Sequence, residues 1–122
     1  MKIAVFGGTG FVGNYIVSEL LDSNHEVNVL VRSESQNKLE KIDKCNTTIG
    51  EINNIDSIDN TLKNCEAVIY NIGIIREFKS KNVTFEDLHY KGLKSVVDSS
   101  KKNHINRFIL MSANGVKPNG TG

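Results

Sequence analysis

Gly7, Gly10 and Gly13 stand at three-residue spacing in Val5-Phe6-Gly7-Gly8-Thr9-Gly10-Phe11-Val12-Gly13, between an apolar run and a helix-like pattern. That arrangement can cradle the pyrophosphate of a dinucleotide. Gly7 lets the chain turn sharply off a strand, Gly10 leaves out a side chain where phosphate must approach the backbone, and Gly13 lets the helix pack closely on the sheet. The N–H groups at the helix start, at the positive end of its dipole, would hold the phosphate charge. A tight strand-to-helix turn without a ligand needs one glycine rather than three.

Arg32 and Ser33 form the second group with chemistry to offer, nineteen residues after Gly13. A dinucleotide site usually carries an acid here when the ribose keeps its 2′-hydroxyl, and a cation when it carries a 2′-phosphate. A guanidinium holds a phosphate through two parallel hydrogen bonds, and Ser33 can add a hydroxyl. NADP is therefore favoured over NAD. Glu34 points the other way, since it can pair with Arg32 or take the ribose hydroxyl itself, and NAD stays open as the alternative. An arginine at a strand end can also be a solvated surface residue.

The elements that must position these groups can be read from periodicity. Lys2 to Phe6 reads as a buried strand, followed by a helix over Gly10 to Ser23 with Val12, Ile16 and Leu20 as its inner face. A second strand covers Glu26 to Val31, a short polar helix Ser35 to Ile42, and a weak third strand Thr47 to Ile49. Asp56 reads as the cap of a helix whose face carries Ile58 and Leu62. Glu66 to Tyr70, nearly all apolar, fits a central strand covered on both sides. Asn71 to Asn82 reads as a loop, and Thr84-Phe85-Glu86-Asp87 as a capping box. The long crossover helix that follows carries Phe85, Leu88, Gly92 and Val96 on one face. Arg107 to Met111 is the fifth strand, and the tail from Lys117 to Gly122 has turn residues only.

Strands alternating with helices predict an α/β fold, a doubly wound parallel sheet of the Rossmann type with helices on both faces. Right-handed crossovers give the strand order 3-2-1-4-5, which puts the ligand over the carboxyl ends of strands one and four. Glycines and polar residues gather at those ends. The 122 residues, 39% hydrophobic with a formal charge of +1, suit one soluble globular domain and argue against nucleic acid as a partner. Cys45 and Cys65 have neither metal-ligand spacing nor the framework of a secreted domain, so a reducing, cytoplasmic setting is expected. No signal peptide or membrane span is read.

Several motifs together resemble the short-chain dehydrogenase/reductase family, in the extended or atypical branch that includes NmrA-like proteins and the nucleotide-binding accessory subunit of respiratory complex I. GGTGFVG resembles the family's glycine motif, VLVRS the end of its second strand, GEI its adenine-side dipeptide and NIG its cofactor-side loop. RFILMSANGV resembles strand five with the family serine, and FEDLHYKGLKSVVDSSKKNHINRFILMSA is close to this branch throughout. The resemblance implies that Gly7, Thr9, Gly10, Phe11, Val12 and Gly13 line the pyrophosphate. It implies that Glu51 and Ile52 flank the adenine, and that Asn71, Ile72 and Gly73 run past the ribose towards the nicotinamide. For Glu51, a solvated loop carboxylate is an equal reading.

The resemblance also implies a serine that polarises substrate and a Tyr-x-x-x-Lys pair after it. Ser112 matches the serine, and no tyrosine follows it in the ten residues to Gly122. Tyr90 and Lys94 have the spacing but precede Ser112 on the crossover helix, where packing or solvent exposure is expected of them. Without a base beside it a serine hydroxyl is unreactive, so Ser112 is a candidate only. Residues 1–122 are expected to be the amino-terminal part of a longer domain, and strand five, left at an edge, to invite self-association through Arg107 to Met111. The function implied is the NAD(P)(H)-binding domain of an epimerase/dehydratase-like or NmrA-like oxidoreductase. The alternative is a non-catalytic dinucleotide-binding regulatory or assembly subunit. No metal is expected.

Overall fold

The computed structural model describes residues 1–72 and 85–111, the side chains of 85–90 excepted. Five parallel strands lie in the order expected: β1 (Lys2–Phe6), β2 (Glu26–Val31), β3 (Asn46–Ile49), β4 (Ala67–Tyr70) and β5 (Arg107–Leu110), arranged β3-β2-β1-β4-β5. The helices are α1 (Phe11–Asp22), α2 (Ile55–Leu62) and α3 (Phe85–Lys102). The sheet is covered on both faces.

Alternation along the central strands divides their side chains between two cores. Ile3 and Val5 join Val27, Val29, Val31 and Ile69 beneath α1, where Val17 and Leu39 close the layer. Ala4 and Phe6 join Val68 and Tyr70 on the opposite face, beneath Ile58, Leu62 and Val96 of α2 and α3. Each fully buried side chain of this size contributes about 1.5–3 kcal/mol. Tyr70 lies between Phe6 and Phe108, with ring centroids 6.3 and 6.5 Å away. The one amide buried in the sheet is satisfied: Asn28 Nδ2 donates to the Thr61 carbonyl at 2.9 Å, and its Oδ1 accepts from Asn46 Nδ2 at 3.0 Å. That network ties α2 to β2 and β3.

Three local expectations need correction. The inner face of α1 is centred on Gly13 and Val17, with Ile16, Leu20 and Leu21 half-buried, whereas Val12 is 48% exposed. Reading the face from apolar side chains misses a glycine that sinks the helix towards the sheet. The helix expected over Ser35 to Ile42 is instead two 3₁₀ turns, Ser33–Lys38 and Ile42–Lys44, separated by the buried Leu39. The cap of α2 is Asn54 rather than Asp56, since Asn54 Oδ1 accepts from the Ser57 N–H at 2.9 Å. Asp56 lies within the first turn, where its charge still favours the helix dipole.

Each of the three described helices ends at a residue of positive φ. Asn24, Asn64 and His104 take φ of 69°, 62° and 61° just beyond α1, α2 and α3. At α1 and α3 the next N–H reaches back to a carbonyl in the last turn: His25 to Leu20 at 3.0 Å and Ile105 to Ser100 at 2.9 Å. The Thr84 capping box lies outside the described residues.

Candidate functional site: the carboxyl edge of the sheet

Parallel register brings the predicted site residues to one edge. Phe6 pairs with Leu30 and Tyr70, Val31 with Ile49, and Tyr70 with Leu110, so Gly7, Arg32, Gly50, Asn71 and Met111 all follow strand ends on the same side. Backbone bonds carry the ladder one step further: Asn71 N–H to Phe6 O at 2.8 Å, Gly50 N–H to Val31 O at 3.0 Å and Met111 N–H to Tyr70 O at 2.8 Å. Asn71 Nδ2 also donates to Gly7 O at 3.3 Å, joining the two central strand ends.

The glycines differ in what surrounds them. Gly7 has φ +96°, and a Cβ there would lie 2.7 Å from the Asn71 carbonyl oxygen. A Cβ at Gly13 would strike the Gly7 carbonyl oxygen and come within 2.7–2.8 Å of the Gly8 backbone. Both are places where two backbones touch. Gly8 is similarly packed, 3.0 Å from Val29 Cγ1 by the same construction, a close approach the sequence pattern did not single out. Gly10 is the exception. A Cβ there would meet no heavy atom within 4 Å, in open space at the start of α1.

That helix start is arranged for an anion. Gly10 is its N-cap, no side chain caps it, and the first turn holds no acidic residue. The Asn14 N–H donates to Gly10 O at 2.9 Å, which opens the helical ladder and leaves the N–H groups of the first turn without an intrahelical acceptor. A phosphate seated there meets backbone donors at the positive end of a twelve-residue helix. The residues present fit a dinucleotide pyrophosphate.

Arg32 follows β2 and caps the first 3₁₀ turn, with Ser33 next to it, and both are exposed. Arg32 Nε lies 3.5 Å from Glu34 Oε2, and each side chain is about 60% exposed, at 59% and 61%. Such a pair is worth at most about 1 kcal/mol, little against a phosphate dianion. Glu51 is exposed beside β3, while Ile52 packs under α3 near Gly92 and the Tyr70 hydroxyl. Phe11 is 90% exposed at the helix start. Ile72 is half-buried beside Gly7. Gly73 and Ser112 lie outside the described residues, as does the side chain of Tyr90.

Burial disfavours the charged forms of Tyr70, Cys65 and Cys45. Burial pushes Tyr70 up to about 12, and burial pushes Cys65 up to about 11. Cys45 is raised too, by burial and by Asp43. Among the described residues no group of His, Cys, Asp and Glu could hold a metal, and no helix is long and apolar enough to cross a membrane. Sequence reasoning missed Asn14, whose amide bonds the Thr9, Gly10 and Lys38 carbonyls and the Glu40 N–H.

The model of a family described as NAD(P)H-binding matches residues 7–122, from the turning glycine of this cradle onward. The chain belongs to the NAD(P)H-binding family. Its relatives include the mitochondrial NADH-ubiquinone oxidoreductase 40 kDa subunit of Neurospora crassa, 31% identical over 119 residues, covering 94% of this chain and 31% of that protein. Another is the decarboxylating sterol-4-alpha-carboxylate 3-dehydrogenase of Dictyostelium discoideum, 26% identical, covering 98% of this chain and 37% of that one. The solved structure of gox2253 shares the fold at a TM-score of 0.81 and 20% identity, over 98% of this chain and 37% of its own. The chain thus spans about a third of the length of these relatives. The resemblance to the extended short-chain dehydrogenase/reductase branch stands, with a complex I subunit among the relatives as expected.

Proposed function

We propose that this NAD(P)H-binding domain prefers NADP(H) to NAD(H). The observation that carries the preference is Arg32, exposed at the end of β2 on the same edge as the glycine cradle. Its guanidinium takes the 2′-phosphate, with the Ser33 hydroxyl assisting, and the Glu34 contact yields to the stronger charge. The pyrophosphate lies on Gly7, Thr9, Gly10, Phe11, Val12 and Gly13. The adenine lies by Glu51 and Ile52, and Asn71, Ile72 and Gly73 lead towards the nicotinamide. When bound, the cofactor supplies hydride chemistry; the chain's residues bind it, orient it and exclude water from it.

In the leading form the domain serves an oxidoreductase of the epimerase/dehydratase or NmrA-like kind, with Ser112 as the hydroxyl that polarises substrate. The likeness to an NADH-ubiquinone oxidoreductase subunit favours a second form, a non-catalytic dinucleotide-binding assembly subunit. Two free thiols fit a reducing cytoplasm. The half-exposed Ile109 and Leu110 on the edge strand β5 support pairing with a second copy. Oxidation of NADPH on addition of carbonyl compounds separates the two forms: turnover supports the oxidoreductase, and binding without turnover supports the subunit. Titration with NADPH and NADH tests the preference, and equal affinities would remove it.

A further inference from the structure

We propose that Asn14 is a positioning residue that sets the distance between the phosphate cradle and the segment reading the 2′ position. The inference rests on the NADP reading above. Asn14 Nδ2 donates to Thr9 O at 3.2 Å and Gly10 O at 3.0 Å, and also to Lys38 O at 2.9 Å. Its Oδ1 accepts from the Glu40 N–H at 2.8 Å. An amide NH₂ has two hydrogens for these three carbonyls, so the one aimed at the cradle is shared between Thr9 and Gly10.

Among the described residues no other side-chain hydrogen bond joins the two groups into which these partners fall. Thr9 and Gly10 belong to the cradle; Lys38 and Glu40 lie across from it, either side of the buried Leu39. The segment between Arg32 and Leu39 is therefore fixed at both ends. Its near end continues β2, with the Ser35 N–H on Arg32 O at 2.9 Å. Its far end is held by Leu39 in the core and by the Asn14 amide. A dinucleotide touching both the cradle and Arg32 has a fixed span from pyrophosphate to ribose 2′ oxygen, and Asn14, by holding the far end of the segment that starts at Arg32, steadies the matching span in the protein. Replacing the amide frees the far end of the arch that begins at Arg32, while the backbone N–H of residue 14 still holds the Gly10 carbonyl of the cradle.

The test compares NADPH and NADH affinities in the wild type, Asn14→Ala, Arg32→Ala and the double variant. Asn14→Ala is expected to weaken NADPH at least tenfold and NADH less than threefold, and to add little once Arg32 is gone. Equal losses for both cofactors, or additive losses in the double variant, would overturn the positioning role. A wild type that binds neither cofactor, or does not distinguish them, would instead overturn the NADP reading. Should Asn14→Ala fail to fold, amide exchange in the wild type decides. The Glu40 N–H, on an exposed residue, is expected to exchange slowly, and fast exchange would refute the clamp.

Discussion

Adding one methyl group at Gly13 and at Gly10 should separate folding from binding. A Cβ at Gly13 would lie 2.7 and 2.8 Å from the Gly8 carbonyl carbon and Cα, and closer still to the Gly7 oxygen. Carbon atoms settle at about 3.5–4.0 Å, so α1 must withdraw by at least roughly 0.8 Å, and no flexible side chain can absorb the movement. Overpacking costs typically about 1–3 kcal/mol; with backbone on every side the upper end applies, offset by about 1 kcal/mol of helix propensity. The net loss is about 2 kcal/mol, equivalent to about 1 M in the urea midpoint. At Gly10 the methyl meets nothing, so Gly10→Ala should cost at most about 1 kcal/mol as a poorer N-cap. It should nevertheless weaken NADPH at least tenfold, because the methyl occupies the space assigned to phosphate. Urea unfolding followed by circular dichroism, with NADPH fluorescence titration alongside, reads both effects. Gly13→Ala within 0.5 kcal/mol of wild type (roughly the size of a surface substitution) would refute the close packing. Gly10→Ala with unchanged affinity would refute the phosphate assignment.

His104, at φ 61° beyond α3, sits where glycine is favoured, so His104→Gly should raise stability by about 0.5–1 kcal/mol in thermal or urea unfolding, without touching cofactor affinity. Cys65 gives a pH signature. Its folded pKa, about 11, exceeds the ordinary 9.0 of the unfolded chain, so the stability present below pH 9 should fall as pH rises towards 11. The slope is at most about 1.4 kcal/mol per pH unit, reduced by solvent screening of a half-buried thiol, and Cys65→Ser should flatten it. An unchanged slope would assign the loss to other groups.

The central strands were legible because they are short apolar runs buried on both faces. Val27, Val29 and Val31 alone commit β2 to the α1 layer. The cradle was legible because Gly7, Gly10 and Gly13 lie within one turn and a half of chain. What escaped depends on partners distant in sequence. Gly8 meets Val29, and Gly92 gives way to Ile52 and Tyr70, contacts that follow from layer packing rather than spacing. Asn14 is a polar residue in the first helical turn until its bonds to Lys38 and Glu40, 24 and 26 residues away, are seen. Asn54 displaced Asp56 as the cap because the backbone at Asn54 itself is extended and its amide oxygen reaches the Ser57 N–H. Both side-chain types can cap, and sequence alone does not rank neighbours two residues apart. The 3₁₀ turns after Arg32 follow from the burial of Leu39, which draws the chain back to the core before an α-helix can form.

Parallel titration of NADPH and NADH into the wild type and Arg32→Asp tests the central claim most directly. Saturable binding of both by the wild type is expected, tighter for NADPH by tenfold or more, with reversal or loss of that preference in Arg32→Asp. Equal affinities in the wild type would contradict the assignment of Arg32, and no saturable binding of either would contradict the cradle itself.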